Sequence, residues 1–405
     1  MAPHPSTMSP SYWRTALVLG LMSAIGPFAI DMYLPALPAI GQSLGVSVGT
    51  VQASLMAFLL ALGIAQMVYG PLSDMFGRRV PLSFGLLLFT AGSVGCALAP
   101  DIQSLIALRF VQGLGAAASM VIPRAIVRDL HTGTEAARLM SLLILVVSVS
   151  PLLAPLTGSV LTDWAGWRSV FWAVTCAGAL GLLLMRTALT ETHPVDERVA
   201  SNVRRAIAGY ALLLRDRHFI GLILIGGFGV ASFFAYLANS SFVLIGHYGL
   251  SPRQYSLAFA INAASFICAS QFTARLGARF GLARTVRAAV AGYALAMALL
   301  LALNLSGVDQ LPIMLTLLFV GYGFLGLVVP ASAVLALDAH GAIAGTASAL
   351  MGTSHYLVGT LVVGLIGPFA DGTARPMLAG ITASAVAAFT IAWLTLPRRR
   401  AFRPD

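Results

Sequence analysis

The sequence contains no lysine, so all 24 of its basic residues are arginine. Charged residues of both signs make up only 9% of its 405 residues, whereas about 25% is usual in a soluble protein. A soluble fold of this length needs far more polar surface than so few charged side chains provide, but lipid accepts apolar surface without penalty. Together with 58% hydrophobic residues, this scarcity of charge indicates an integral membrane protein.

The sequence also lacks the motifs of several enzyme classes. It has no His-Glu-x-x-His or Cys-x-x-Cys pattern and no nucleotide-binding P-loop. Its three cysteines, Cys96, Cys176 and Cys268, lie in separate apolar runs without the spacing of metal ligands or of a disulfide framework. We therefore expect a protein that is not an enzyme, that uses no metal or cofactor and that is not driven by ATP.

Twelve apolar runs are long enough to cross a bilayer, which takes about 20 residues in a helix. These spans 1 to 12 lie at residues 13–40, 48–72, 79–99, 103–128, 137–161, 167–189, 217–246, 252–274, 284–305, 311–337, 344–370 and 374–396. The loops after spans 2, 4, 6 and 8 and the tail after span 12 are rich in arginine, and loops after odd-numbered spans are nearly free of it. Arginine-rich loops stay in the cytoplasm, so we expect a bacterial inner-membrane protein with both termini cytoplasmic and no nucleic-acid partner.

The chain repeats itself across its longest polar stretch, residues 190–216. Phe76-Gly77 with Arg79 after span 2 returns as Phe280-Gly281 with Arg284 after span 8, and Gly113-Leu114-Gly115 with Pro123 returns as Gly321-Tyr322-Gly323 with Pro330. Both offsets are close to half the chain. Two parallel six-helix repeats describe the major facilitator architecture. The predicted fold is therefore all-α, with two pseudo-symmetric six-helix bundles at 1–189 and 217–405 and a cytoplasmic linker between them. The second bundle ends in an arginine-rich tail at Arg398–Arg400. We expect the protein to be a monomer.

Asp31 puts one carboxylate inside the apolar run of span 1. A charge at membrane depth costs a few kcal/mol or more, so such a residue is a candidate functional site. At a rise of about 1.5 Å per residue, Asp31 lies about 13 Å from the outer end of span 1, and Arg109 about 9 Å from that of span 4. We therefore expect Asp31 and Arg109 to pair, with Gln112 as a bridge. The alternative is that Arg109 snorkels to the interface.

The stretch from Gly70 to Arg79, between spans 2 and 3, reads Gly-Pro-Leu-Ser-Asp-Met-Phe-Gly-Arg-Arg. Its glycines, Gly70 and Gly77, permit a tight turn, and its two arginines, Arg78 and Arg79, mark the cytoplasmic face. The stretch resembles the signature loop of major facilitator transporters, although Met75 replaces the usual arginine. The resemblance implies that Asp74 forms a cytoplasmic latch, pairs with Arg124 or Arg128, and faces the positive amino-terminal end of span 11.

Span 5 contains Pro151, Pro155 and Gly158, which are expected to bend the helix and to let another helix approach closely. The stretch resembles the antiporter motif of the superfamily, with Ala154 and Thr157 in place of the usual glycines; a simple kink is the alternative. Five further stretches narrow the family, namely Ala29–Pro38, Arg128-Asp129, Trp164–Trp172, Asn239–Leu244 and Gly249–Ser251. With them the chain resembles the bicyclomycin and chloramphenicol resistance branch of drug:proton antiporters, which implies efflux of diverse antibiotics in exchange for protons.

For such a transporter, the hypothesis is that a proton and the drug compete for Asp31 as access alternates between the two sides of the membrane. One proton moved down a potential of 100 mV yields about 2.3 kcal/mol, which exceeds the roughly 1.4 kcal/mol of a tenfold drug gradient. One acid is therefore enough. The alternative function is export of a small metabolite, such as an amino acid or sugar, on the same fold.

A drug cavity needs apolar and aromatic side chains with a few polar groups. Ten residues within the spans are candidate substrate contacts: Tyr33, Met56, Met120, Tyr236, Asn239, Phe266, Tyr322, Asn262, His355 and Tyr356. For each of them, ordinary helix packing is the alternative. His355 is titratable, but a histidine hydrogen-bonded between helices is an equally simple interpretation.

Overall fold

The computed structural model describes residues 10–131, 133–193, 203–340 and 343–396. The stretch around Asp196 and Glu197 in the linker and the arginines Arg398–Arg400 of the tail lie outside these ranges. Within them, twelve helices are long and apolar enough to cross a membrane, and no strand occurs. The prediction of an all-α protein with twelve membrane spans is confirmed.

Span 1 consists of two helices, Pro10–Asp31 and Leu37–Leu44, joined by a turn that includes the 3₁₀ segment Leu34–Ala36. Proline explains the interruption, because Pro35 has no N–H to donate to the carbonyl of Asp31. Spans 2 to 6 are the helices Val48–Phe76, Arg79–Leu98, Ile102–Leu130, Gly133–Ala165 and Arg168–Ala188. The first apolar run is thus not a single helix, and Asp31 is the last residue before its break.

The second group of spans follows the linker helix Val203–Arg215, which packs Leu213 against the bundle and donates a hydrogen bond from Tyr210 to the carbonyl of Met67. Span 7 is Arg217–Ser241 extended by the π-helical turn Phe242–His247. Span 8 is divided into Pro252–Ser270 and Thr273–Phe280. Spans 9 to 12 are Leu282–Leu305, Leu311–Asp338, Ala344–Ile366 with the 3₁₀ turn Gly367–Phe369, and Ala374–Thr395.

The first six spans meet the last six along two seams. Span 2 packs against span 11, where Thr353 donates a 2.9 Å hydrogen bond to the carbonyl of Gly63. Span 5 packs against span 8, where Ser256 donates a 2.9 Å hydrogen bond to the carbonyl of Pro155. We use "odd-loop end" for the end of the bundle with the loops after odd-numbered spans, and "even-loop end" for the opposite end.

The turn between spans 2 and 3 is shorter than the sequence suggested. Gly70 lies inside the helix Val48–Phe76 and does not turn the chain. Gly77 alone makes the turn, with a φ of 82° in the region that favours glycine. The prediction that Gly70 forms part of the turn is therefore wrong, because Pro71 is tolerated within the helix and the helix continues to Phe76.

Candidate functional site

Asp31 lies beside span 5, at the point where the first helix of span 1 ends. Its side chain is 5% exposed, and one carboxylate oxygen accepts a 3.0 Å hydrogen bond from the hydroxyl of Ser150. Among the residues that the structure describes, no Arg or His nitrogen lies within 4.0 Å of this carboxylate. The acid is therefore held by a neutral donor. Sequence reasoning missed Ser150, whose only signal was its place just before the two prolines of span 5.

Arg109 is fully buried and does not contact Asp31. Its Nη1 donates to the carbonyl of Ala29 at 3.4 Å, and its guanidinium carbon lies 4.3 Å from the ring centre of Tyr33 and 4.2 Å from that of Phe58. Ala29 and Asp31 are two positions apart in the helix, so they point in directions about 200° apart around its axis. Span 4 therefore approaches span 1 on the side away from Asp31. The predicted pair between Asp31 and Arg109 is wrong, and so is the snorkelling alternative.

Gln112 fixes Arg109 instead of bridging it to Asp31. Its side-chain oxygen accepts a 2.6 Å hydrogen bond from Arg109, and its amide donates a 2.7 Å bond to Ser93 in span 3. Within the described ranges, Nε and Nη2 of Arg109 have no hydrogen-bond partner. The aromatic rings of Tyr33, Phe58 and, at 5.9 Å, Phe171 therefore provide much of the stabilisation of this buried cation.

The aromatic surroundings of Arg109 give a testable expectation for Arg109→Lys. A lysine keeps the charge but cannot lie flat between the two rings, so the substitution is not conservative. A desolvated cation–π contact is worth about 2 kcal/mol, and we expect the apparent melting temperature of the purified protein to fall by several degrees. Arg168→Lys, which removes a partly exposed guanidinium 4.0 Å from the ring of Trp167, serves as the comparison. Equal changes in the two variants contradict the interpretation.

The residues of the span 5 motif pack against both span 1 and span 8. Pro151 and Pro155 lie inside the helix Gly133–Ala165. A Cβ added to Gly158 would meet the carbonyl oxygen of Met32, directly after Asp31. Gly158 thus permits close contact with the break in span 1, while the carbonyl of Pro155 accepts the cross-seam bond from Ser256. The stretch has a packing role beyond a simple kink.

Three of the candidate substrate contacts form one aromatic cluster in the last six spans. The ring of Tyr236 stacks on Phe259 at 5.7 Å and lies 5.4 Å from the ring of Tyr322. Asn262 donates a 3.2 Å hydrogen bond to the hydroxyl of Tyr236. The hydroxyl of Tyr322 has no hydrogen-bond partner in the described part of the chain. The cluster is fully buried in this conformation, so it faces no open cavity.

Asn239 and Gln52 close the odd-loop end of the space between the two groups of spans. Gln52 of span 2 donates a 2.8 Å hydrogen bond to the side chain of Asn239 in span 7 and a 3.1 Å bond to the carbonyl of Ala238. A Cβ on Gly49 would lie 2.8 Å from the carbonyl oxygen of Gly367. Asn239 therefore joins the two groups of spans here. Sequence reasoning missed Gln52 as its partner.

Replacing Gln52 by Ala is expected to favour opening at the odd-loop end. Each neutral hydrogen bond contributes about 1 kcal/mol, so loss of both raises the population of the opened state about five- to thirty-fold. Spin labels at the exposed positions Ser43 and Arg375, in a background without native cysteines, report the distance between the two groups of spans. Gln103→Ala, at an exposed position of the same end, is the control. An unchanged distance distribution in Gln52→Ala contradicts this role.

The other candidate contacts are spread over several surroundings. Met56 faces an apolar groove between spans 2 and 11 that Thr360 and Gly364 also line. The backbone of Phe266 packs against Gly326. Met120 packs against Gly26 of span 1. Tyr356 contacts Gly63 and the ring of Phe234. His355 lies against Gly226, and its Nε2 has no hydrogen-bond partner among the described residues. Tyr33, already named beside Arg109, also exchanges a 2.6 Å hydrogen bond with Ser54. Met56 and Phe266 thus stand apart from Asp31.

The charged residues after span 2 form a cluster different from the predicted latch. Asp74 contacts Arg78, whose Nε donates a 2.8 Å hydrogen bond to Asp129 at the end of span 4. Glu191 accepts hydrogen bonds from the backbone N–H groups of Arg78, at 2.8 Å, and Arg79, at 3.1 Å, and so caps the helix of span 3. The predicted pairing of Asp74 with Arg124 or Arg128 is therefore wrong. Arg78 satisfies Asp74 locally, four residues along the chain.

Arg128 lies at the seam with span 11 instead. Its Nη1 is 3.8 Å from the position that a Cβ would take on Gly345, at the start of the span 11 helix. Asp129 and Glu191 were both missed as members of the cluster around Arg78. In the sequence, Asp129 stood out only as part of the Arg128-Asp129 pair that resembles the drug:proton antiporter branch. Glu191 lies over 110 residues away from Arg78 and Arg79 along the chain.

Comparison with known proteins decides the family. The family model described as Major Facilitator Superfamily matches residues 19–363, which is most of the chain. The chain belongs to the Major Facilitator Superfamily. The D-xylose-proton symporter, a solved structure of this superfamily's fold, superposes with a TM-score of 0.74 at 17% identity over 95% of this chain and 98% of that chain. That likeness supports the fold alone.

Sequence relatives of this Major Facilitator Superfamily member carry transporter and resistance names. The uncharacterized MFS-type transporter YdgK of Bacillus subtilis (strain 168) is 38% identical over 92% of each chain. The bicyclomycin resistance protein homolog of Haemophilus influenzae is 29% identical over 89% of this chain and 91% of the relative. The chloramphenicol resistance protein of Pseudomonas aeruginosa is 30% identical over 72% and 70%. The resemblance to the bicyclomycin and chloramphenicol resistance branch is confirmed.

Proposed function

We propose that this Major Facilitator Superfamily member exports antibiotics or other lipophilic drugs by alternating access, in exchange for protons, with Asp31 as the coupling acid. The observation that carries the proposal is the setting of Asp31. It is a buried carboxylate in the middle of span 1, at a break in the helix, with a neutral serine as its hydrogen-bond donor. Because no cation among the residues that the structure describes neutralises it, a proton or a bound drug is left to do so. Relatives named for bicyclomycin and chloramphenicol resistance support drugs as the substrates.

In this scheme, proton and drug compete for the same carboxylate. A proton that arrives from outside neutralises Asp31 and releases the drug, and loss of that proton to the cytoplasm makes the carboxylate available for the next drug molecule. Ser150 holds the ionised carboxylate between these events. Arg109 and Gln112 act beside the site: they join spans 1, 3 and 4 around the helix that ends at Asp31.

The same proposal includes the orientation and the division of the chain. The even-loop end, which carries most of the arginines, faces the cytoplasm together with both termini. Residues 1–189 and 217–405 move as two bundles, joined by the linker 190–216, around a substrate site between them. The protein works as a monomer, with a small-molecule drug and protons as partners and without an enzymatic activity or a nucleic-acid partner.

Drug susceptibility tests the proposed substrates. An efflux-deficient bacterium that expresses the wild-type protein is compared with the same strain carrying an empty vector, across amphenicols, bicyclomycin and lipophilic cations. We expect the protein to raise the inhibitory concentration of at least one of these classes. Equal sensitivity of the two strains to every compound favours the alternative, which is export of a small metabolite such as an amino acid or sugar on the same fold.

A further inference from the structure

Arg124 lies in the third of span 4 that is nearest the even-loop end. The proposed mechanism does not use this arginine. Its side chain is solvent-exposed. The contacts of its neighbours on span 4 place that exposed surface on a cleft inside the bundle.

The neighbours of Arg124 along span 4 show which cleft this is. Met120, one turn earlier, packs against Gly26 of span 1, and Arg128, one turn later, lies beside Gly345 of span 11. Residues four apart lie on the same face of a helix. Arg124 therefore faces the space between span 1, which belongs to the first six spans, and span 11, which belongs to the last six. Tyr356 of span 11 lies close to both Arg124 and Asp31.

The charge of Arg124 is left uncompensated by the fold, unlike the charges of Arg78 and Arg109. Arg78 contacts two carboxylates, and Arg109 is enclosed by aromatic rings and Gln112. In the part of the chain that the structure describes, Arg124 has no carboxylate within 4.0 Å and no hydrogen bond. A guanidinium that lines this cleft without a protein partner is available for an anionic or oxygen-rich group that enters the cleft.

The position of Arg124 relative to Asp31 sets the size of the ligand. Gly26 and Met120 are at the same depth, because they touch. At a rise of about 1.5 Å per residue, Asp31 lies about 7 Å beyond Gly26, and Arg124 about 6 Å from Met120 in the opposite direction. A direct ion pair is excluded by this separation. A drug-sized molecule, however, can reach from one side chain to the other.

We propose that Arg124 determines specificity by binding a planar, oxygen-rich acceptor group of the drug, such as a nitro or carboxylate group, while the other end of the drug reaches Asp31. The proposal rests on drug export as the function. Arginine suits this role because its fork of N–H donors matches two oxygens on one atom, whereas lysine presents a single point charge. Lipophilic cations without such oxygens gain nothing from Arg124 and are repelled by it.

The test compares two ligands on the purified full-length protein. Binding of chloramphenicol, which carries a nitro group, and of tetraphenylphosphonium, a cation without acceptor oxygens, is measured for the wild type, Arg124→Gln and Arg124→Lys. Loss of a charge-assisted hydrogen bond weakens binding by about tenfold or more. We expect this loss for chloramphenicol in Arg124→Gln, a partial recovery in Arg124→Lys, and unchanged or tighter binding of tetraphenylphosphonium.

Equal weakening of binding for both ligands in Arg124→Gln indicates a purely structural role and overturns the proposal. Unchanged chloramphenicol binding in Arg124→Gln also overturns it, and so does a wild-type protein that binds no chloramphenicol. Uptake of the two compounds into proteoliposomes under an imposed proton gradient separates this result from the proposed function. If the wild type transports neither compound, proton-driven export is contradicted, while the ratio of the two binding affinities still decides the role of Arg124.

Discussion

Replacing Asp31 by Asn is expected to abolish drug accumulation against a gradient while leaving the folded protein in place. Asparagine has the same shape and can still accept the hydrogen bond from Ser150, but it cannot exchange a proton. One proton at 100 mV supplies about 2.3 kcal/mol, which sustains a drug gradient of about 50-fold. We expect the variant to lose this entire gradient in proteoliposomes and to retain downhill exchange of labelled against unlabelled drug.

A second aspartate provides the control for this experiment. Asp163 lies near the odd-loop end of span 5 and faces Arg253 at 3.8 Å on the surface. A surface pair of this kind contributes little, so Asp163→Asn is expected to accumulate drug as the wild type does. An Asp31→Asn protein that still concentrates drug, or an Asp163→Asn protein that loses accumulation to the same extent, contradicts the assignment of Asp31.

Replacing Gly158 by Ala is expected to destabilise the protein and to disturb the coupling site together. The added methyl group would meet the carbonyl oxygen of Met32, a backbone atom that cannot rotate away. Overpacking of this kind costs about 1–3 kcal/mol. Because Met32 follows Asp31 directly, relief of the clash moves the end of the first helix. We expect a lower apparent melting temperature and a loss of drug accumulation in the same variant.

Gly70→Ala is the matched control, since Gly70 also lies inside a membrane helix of the first six spans. A Cβ on Gly70 meets nothing within 4 Å, and alanine is the better helix former by about 1 kcal/mol. We expect its melting temperature to equal or exceed that of the wild type. If the two substitutions lower the melting temperature equally, contact between Gly158 and span 1 is not the reason.

The main features of the fold could be predicted from the sequence because a bilayer leaves few alternatives. Runs of about 20 apolar residues with few charges cross it as helices, and all twelve predicted spans are helices. Asp31 stood out for the same reason, since a carboxylate in an apolar run needs an explanation. The interruption of span 1 was also within reach, because Pro35 removes the N–H that would have continued the helix past Asp31.

The partners of the buried charges could not be predicted in the same way. Spacing along two helices gives the depth of each residue but not the side of the helix on which it lies, so Asp31 and Arg109 were matched by depth although they face different neighbours. Asp74 was assigned a partner in span 4, but Arg78, four residues away, reaches it first. Contacts between distant segments, such as Gln52 with Asn239, depend on which spans are neighbours.

The most direct measurement of the central claim is proton release when drug binds to the purified protein. In weakly buffered detergent solution, a pH indicator reports the change in pH when a drug that the wild type exports is added. If proton and drug compete for Asp31, the wild type releases up to one proton for each drug molecule bound, and Asp31→Asn binds the drug without releasing any. Equal proton release from Asp31→Asn and the wild type contradicts the account.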